Sequence, residues 1–233
     1  MEFEVFPIKS FMANAYLIKG ERIALVDTLT PLDWRGLQKK LAALQVSPRD
    51  IEFILITHNH GDHCGNLAKL KALSGATIIA GEADIAVIQG TEPPRKPSNL
   101  SVLGKIMGRI PGSILEWYQR FDPVDVDRAV SGGEMIEELG LEVLALQGHT
   151  PGGTGYYDAE GRRAFIGDLV SNYRGSAGMP MLSASESIEK IYASQEKLAG
   201  LDLDIAYPGH GAAIRPHASE TIGRMLREKR AKA

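Results

Sequence analysis

Cysteine is almost absent: the 233 residues contain one, Cys64. An intrachain disulfide is therefore excluded, which fits a reducing compartment and makes the cytoplasm the expected location. Charge of one sign is not in excess either. Lys plus Arg number 26 against 29 Asp plus Glu, a net charge of −3. That balance gives no general pull toward nucleic acid or anionic membranes. Long apolar runs are missing: no stretch approaches the roughly 20 residues of a membrane span, so stable membrane insertion is not expected. The opening Met1-Glu2-Phe3-Glu4-Val5-Phe6 lacks the basic flank and apolar run of a signal peptide. What is present, 44% hydrophobic and 24% charged residues, suits a globular chain that buries a core.

Apolar runs and turn signals alternate along the chain. Residues 3–8, 15–19 and 23–26 read as short strands separated by Pro, Asn and Gly. Residues 32–45 carry Leu37, Leu41 and Leu44 at helical spacing. A buried strand is expected at 51–57, a helix at 66–73 stopped by Gly75, a strand at 77–80 and a helix over 82–89. The second half repeats the rhythm, with a strand at 141–146 and a hairpin of 155–158 with 163–166 around an Ala-Glu-Gly turn. A helix over 185–198, a strand at 205–207 and a closing helix over 218–229 complete it. No linker and no internal repeat stands out, so one domain over 1–233 is the expectation. Two sheets packed together with helices outside would bury such elements.

Five of the six histidines follow an apolar, strand-like run or lie in a glycine-containing turn. The densest cluster is Thr57-His58-Asn59-His60-Gly61-Asp62-His63. Residues two apart in an extended segment point the same way, so His58 and His60 can grip one ion. Gly61 permits a sharp turn that sends Asp62 and His63 toward a second. Three further candidates sit in similar settings: His149 after the 141–146 strand, Asp168 in Gly167-Asp168, and His210 in Pro208-Gly209-His210-Gly211. A lone histidine after a strand is more often a structural hydrogen-bonder, and a lone Gly-Asp is usually a turn. The 58–63 spacing is far more specific, and three later sites in order leave little room for coincidence. Imidazole with carboxylate suits zinc, and iron or manganese as well. His217, outside any such turn, reads as a surface or helix-start residue. Cys64 reads as a packed small residue after the motif.

With these residues in hand the chain resembles the metallo-β-lactamase superfamily over almost its full length. His58-x-His60-x-Asp62-His63 matches the family's metal motif; His149, Asp168 and His210 match its later motifs, and Asp27 its early aspartate. The resemblance implies an α+β fold, a four-layer αββα sandwich with metals at one edge. It implies two divalent ions, zinc being expected: His58, His60 and His149 on one, Asp62, His63 and His210 on the other, and Asp168 bridging. Asp27 would stand behind the ligands and fix their orientation; capping a turn is an equal alternative. The implied activity is that of a hydrolase of the glyoxalase-II-like or lactonase-like kind. A hydroxide shared by two ions attacks an ester, thioester or lactone carbonyl, with Asp62 helping to orient the nucleophile.

Asp168 speaks against a true β-lactamase, since those enzymes typically lack the bridging aspartate. Glyoxalase II carries an added C-terminal helical substrate domain, for which the 23 residues after His210 leave no room. The runner-up is an oxidoreductase resembling persulfide dioxygenases, which keep the same motif residues but use one iron on the counterparts of His58, His149 and Asp168. A non-catalytic metal-binding protein is the weakest alternative, because no ligand is lost.

Residues 93–127 depart from a minimal version of this fold. They carry many large apolar residues, including Ile106 and Trp117. Arg95, Lys96, Lys105 and Arg109 lie between positions 93 and 115 with no acidic residue. A helical insertion packed on the core, or on a second copy of the chain in a homodimer, is one expectation. A lid that contacts substrate through Ile106 and Trp117 is the other. Tyr173, shortly after Asp168, is a further candidate for substrate contact, although an ordinary loop tyrosine is the commoner case.

Overall fold

The computed structural model describes residues 2–107, 109 and 121–231. The chain divides into two compact units, Met1–Arg95 with Gly112–Val130, and Lys96–Pro111 with Ser131–Ala233.

The first unit is built on a six-stranded sheet in sequence order: β1 (Glu4–Lys9), β2 (Asn14–Lys19), β3 (Ile23–Val26), β4 (Phe53–Ile56), β5 (Thr77–Gly81) and β6 (Arg128–Val130). The β1–β2 and β2–β3 pairs are antiparallel; β3 to β6 run parallel. Nearly every residue of β3, β4 and β5 is buried, the pattern of parallel strands covered on both faces. Helix α1 (Trp34–Ala43) buries Leu37 and Leu41, one turn apart. Two further helices are α2 (Gly61–Cys64) and α3 (Leu67–Ser74), the latter burying Leu67 and Leu70. These four leucines join Leu25, Ile54, Ile56 and Ile78 in one apolar cluster, each worth roughly 1.5–3 kcal/mol when fully buried. Gly75 ends α3 in the left-handed region at φ 68°, its N–H on the Lys71 carbonyl.

The second unit holds a five-stranded sheet. Its strands are β7 (Met135–Ile136), β8 (Leu141–Ala145), β9 (Thr154–Asp158), β10 (Arg163–Gly167) and β13 (Ile205–Pro208), in the order β13-β10-β9-β8-β7. A separate ribbon pairs β11 (Ser171–Tyr173) with β12 (Ser176–Gly178). The expected hairpin is β9–β10, with Asp158 opposite Arg163. Helices α6 (Ile188–Gly200) and α7 (Ala218–Arg230) set Leu198, Ile222, Met225 and Leu226 against Leu144, Ala164 and Ile166. No helix among the described residues is long and apolar enough to cross a membrane.

Several elements differ from the sequence expectation. The 32–45 helix begins as a 3-10 turn over Pro31–Asp33 before α1. The helix expected over 82–89 is a 3-10 turn, Glu82–Asp84, followed by α4 (Ile85–Ile88). The helix expected over 185–198 starts at Ile188, because Ser187 is its cap and accepts the Lys190 N–H. Residues Leu182–Ala184 form a separate 3-10 turn. Within 93–127 the structure shows α5 (Val102–Met107); Trp117 lies outside the described residues.

Strand direction positions the functional loops. In the first unit β3, β4 and β5 are parallel, so the residues after each emerge at the same sheet edge: Asp27, the 57–63 stretch and Asp84. In the second unit β10 and β13 are parallel, and β8 and β10 are each antiparallel to β9. The three therefore share a direction, and His149, Asp168 and His210 all follow their carboxyl ends.

Candidate metal centre

In the first unit the His58 ring lies 4.7 Å from His60 and 4.0 Å from His63, centroid to centroid. Asp62 places Oδ2 3.8 Å from His63 Nε2. The four predicted residues of the motif are thus gathered on one short stretch, with His58 and His63 buried.

Asp27 organises that stretch. Its Oδ1 accepts the Thr57 N–H at 2.8 Å, and its Oδ2 accepts the Thr57 hydroxyl at 2.8 Å. The same Oδ2 lies 2.8 Å from His63 Nδ1. A carboxylate offers only acceptors, so the Thr57 hydroxyl spends its single proton on Asp27. Thr57 Oγ1, 3.0 Å from His58 Nδ1, must then accept from the imidazole. Both rings therefore carry their proton on Nδ1, and Nε2 is the atom with a lone pair for a metal. Asp27 reaches this position with φ at 59°, a conformation that an aspartate tolerates better than most residues. Asp27 thus holds two ring tautomers and the backbone N–H just before His58.

The remaining supports of this loop are also polar and buried. Asp84 Oδ2 accepts the Asn59 N–H at 3.0 Å, pinning the residue between His58 and His60. Thr28 donates its N–H at 2.7 Å and its hydroxyl at 2.8 Å to the His63 carbonyl. The Cys64 thiol is buried and donates to the His58 carbonyl at 3.4 Å. Burial pushes that thiol well above its ordinary range, with the carboxylates of Asp27, Asp84 and Asp62 adding to the effect. Cys64 is thus an inert packing group, as its sequence context suggests.

The second unit brings its three predicted ligands together from separate strand ends. Asp168 Oδ2 stands 2.9 Å from His210 Nε2 and 3.4 Å from His149 Nε2. His149 Nδ1 lies 2.9 Å from Ser185 Oγ. Ser185 donates its own proton to the Met181 carbonyl at 3.0 Å, so it accepts from His149, and Nε2 is again the atom left with a lone pair. Glycines let these loops approach one another. Gly211 has φ 89°, and a Cβ there would fall 2.1 Å from the Asn172 carbonyl oxygen. Asn172 in turn donates its N–H to the His210 carbonyl at 3.1 Å.

The donor chemistry fits divalent transition metals. It consists of imidazole nitrogens and carboxylates, with three rings locked in the coordinating tautomer by groups of their own unit. Tyr173 is 60% exposed on the ribbon beside Asn172, and Ile106 is 55% exposed on α5. Both face solvent, and neither is part of the ligand sets. Thr57, Asp84 and Ser185 were not expected from the sequence. Adjacency to His58 could have flagged Thr57; Asp84 and Ser185 are brought in from distant positions and carry no local signal.

Residues 9–210 match the family model of the metallo-beta-lactamase superfamily. The chain belongs to that superfamily. Among its relatives is a probable metallo-hydrolase of Bacillus subtilis, YqjP, 27% identical over 92% of this chain and 76% of the relative. Another is the hydroxyacylglutathione hydrolase GloC of Haemophilus influenzae, 26% identical over 91% of this chain and 92% of its own length. A solved structure of TTHA1623 in a di-iron-bound form aligns with a TM-score of 0.68 and 25% identity, covering 95% of this chain and 98% of that one. The mixed α and β architecture, with several sheets, is that of the metallo-β-lactamase fold.

Proposed function

We propose that this superfamily member is a metal-dependent hydrolase that uses two divalent ions to cleave an ester, thioester or lactone. His58, His60 and His149 would hold one ion and Asp62, His63 and His210 the other, with Asp168 between them. One observation carries the reading: a single oxygen of Asp168 addresses the Nε2 atoms of both His149 and His210, one ring from each proposed ligand set. A centre with one iron would need Asp168 and His149 but gives His210 no task. The GloC relative, matched over nearly its whole length, makes a thioester the first substrate to test. The likeness to a di-iron-bound protein keeps iron beside zinc as the native ion.

When bound, two such ions supply a water of lowered pKa and a Lewis acid for the carbonyl oxygen. The chain supplies orientation. The Asp27–Thr57–His58 and Asp27–His63 hydrogen bonds fix where the His58 and His63 rings point, and Ser185 does the same for His149. Asp62, partly exposed at 24%, would help to orient the attacking water. Attack forms the new C–O bond; the C–S or C–O bond of the substrate breaks, and the departing thiolate or alkoxide takes a proton.

Protein purified without chelators should carry two transition-metal ions per chain and hydrolyse thioesters or lactones in preference to phosphodiesters. Asp168→Ala should lose turnover while melting near the wild-type temperature, since the apolar strands supply the core. One tightly held iron per chain, with oxygen consumed in the presence of a persulfide, would replace the hydrolase by the dioxygenase.

A further inference from the structure

Within the second unit, Ser98 fastens the segment leading into α5 to the 3-10 turn Leu182–Ala184. It donates its N–H to the Ser183 carbonyl at 2.8 Å and its hydroxyl to the Leu182 carbonyl at 2.6 Å. The fit is close. A Cβ on Gly104, in the middle of α5, would come within 1.9 Å of the Ser98 carbonyl oxygen and 3.2 Å of Ser183 Cα. No Cβ-bearing residue could occupy position 104 without pushing α5 off the turn.

The same turn presents Ser185 to His149. The Leu182 carbonyl that takes the Ser98 hydroxyl also accepts the Ser185 N–H at 3.2 Å, and the Met181 carbonyl takes the Ser185 hydroxyl at 3.0 Å. Ser185 Oγ then meets His149 Nδ1 at 2.9 Å. From the other side, the Glu186 and Ser187 N–H groups bind the Gly148 carbonyl at 2.8 and 3.0 Å. A turn held at both ends leaves Ser185 little freedom to rotate away from the ring.

We infer that Ser98 is a positioning residue for the metal centre. It holds the Leu182–Ala184 turn so that Ser185 keeps the His149 imidazole in its coordinating orientation, and it thereby ties the seating of α5 to the quality of a metal ligand. The inference rests on His149 being a ligand, as proposed above. Partners that orient a metal-binding histidine commonly change metal affinity by about 10–100-fold when removed. Ser185 is such a partner, and Ser98 acts one step further out.

The test is a zinc titration in competition with a chromogenic chelator, run on the full chain with no substrate. Ser185→Ala should weaken the more affected zinc by about tenfold or more, and Ser98→Ala by about threefold to tenfold. Ser98→Thr, which keeps the hydroxyl, should restore wild-type affinity. Gly104→Ala, which displaces α5 from Ser98, should reproduce Ser98→Ala. If the relay is one unit, Ser98→Ala should add little to Ser185→Ala in the double variant. Wild-type zinc affinity in Ser98→Ala, or full additivity with Ser185→Ala, would overturn the role of Ser98 and leave the hydrolase reading standing. Failure of the wild-type chain to bind zinc, iron or manganese would remove both; bound metal without carbonyl hydrolysis would remove only the assigned reaction.

Discussion

The two units bring their histidines to a sheet edge by opposite means. The first uses one short stretch of chain, residues 57–63, and stiffens it with buried side chains. Asp27 alone receives three hydrogen bonds, including one from His63 and one from the residue that receives His58. The second draws single residues from three strand ends and relies on backbone geometry. Gly148, Gly167 and Gly211 all have positive φ, at 120°, 49° and 89°. The contrast follows from spacing. Ligands adjacent in sequence need orientation, which a carboxylate provides; ligands far apart need close loop approach, which glycine permits.

The sharpest way to break this comparison is Asp27→Ala. It removes the acceptor of three buried donors on Thr57 and His63, which at about 1–3 kcal/mol each should cost about 3–5 kcal/mol or more and strip the bound metal. Urea unfolding with metal analysis of the native fraction checks both. A variant with wild-type metal content would show that the histidines of the first unit orient themselves.

Next in size is Gly211→Ala. Its left-handed backbone and the 2.1 Å approach to the Asn172 carbonyl predict a loss of about 2–3 kcal/mol and a melting temperature lower by about 5 °C or more. An unchanged melting temperature would mean that the loop bearing His210 can relax, and that glycine geometry is not what holds the second unit's ligands. A cost exceeding that of Asp27→Ala would invert the comparison.

The smallest effect lies away from both ligand sets. Asp127 accepts from Lys71 Nζ at 2.7 Å and from the Ile78 N–H at 2.7 Å. Burial alone would raise its carboxyl; the hydrogen bonds from Lys71 and Ile78 outweigh this and hold it below the ordinary range. The stabilisation is therefore complete above the ordinary carboxylate value of about 4 and is lost as pH falls through the lowered value. The pair is partly exposed, with side chains at 28% and 38%, so Lys71→Met should cost no more than about 1 kcal/mol near neutral pH. That difference should vanish in acid. A cost of equal size at both pH values would assign it to packing of the lysine stem.

Both the strands and the ligand types were readable in the chain because each rests on short-range rules. The β3, β4 and β5 runs are apolar but for Thr77 and Gly81 at the ends of β5, and the 57–63 stretch has its candidate ligands at local spacing. Helix starts were less readable. Ser185 and Ser187 are equally good caps by composition; the structure uses Ser187 as the cap and turns Ser185 toward His149. Two- and three-residue strands such as β7 and β11 have too few residues for a period to show. Trp117 and its neighbours lie outside the described residues, so the lid stays an expectation, and Ile106 on α5 and Tyr173 on β11 are seen exposed.

By itself, then, the sequence determined which side chains could bind a metal and which family the chain resembles, because residue chemistry and local spacing are written in the chain; the place of Asp27 was only what that resemblance implied. Only the tertiary structure decided which nitrogen of His58, His63 and His149 keeps its lone pair. That choice belongs to Asp27, Thr57 and Ser185, partners reached through sheet direction and loop approach. A hydrogen bond between residues 36 positions apart, as between Asp27 and His63 or His149 and Ser185, leaves no periodic trace in a sequence.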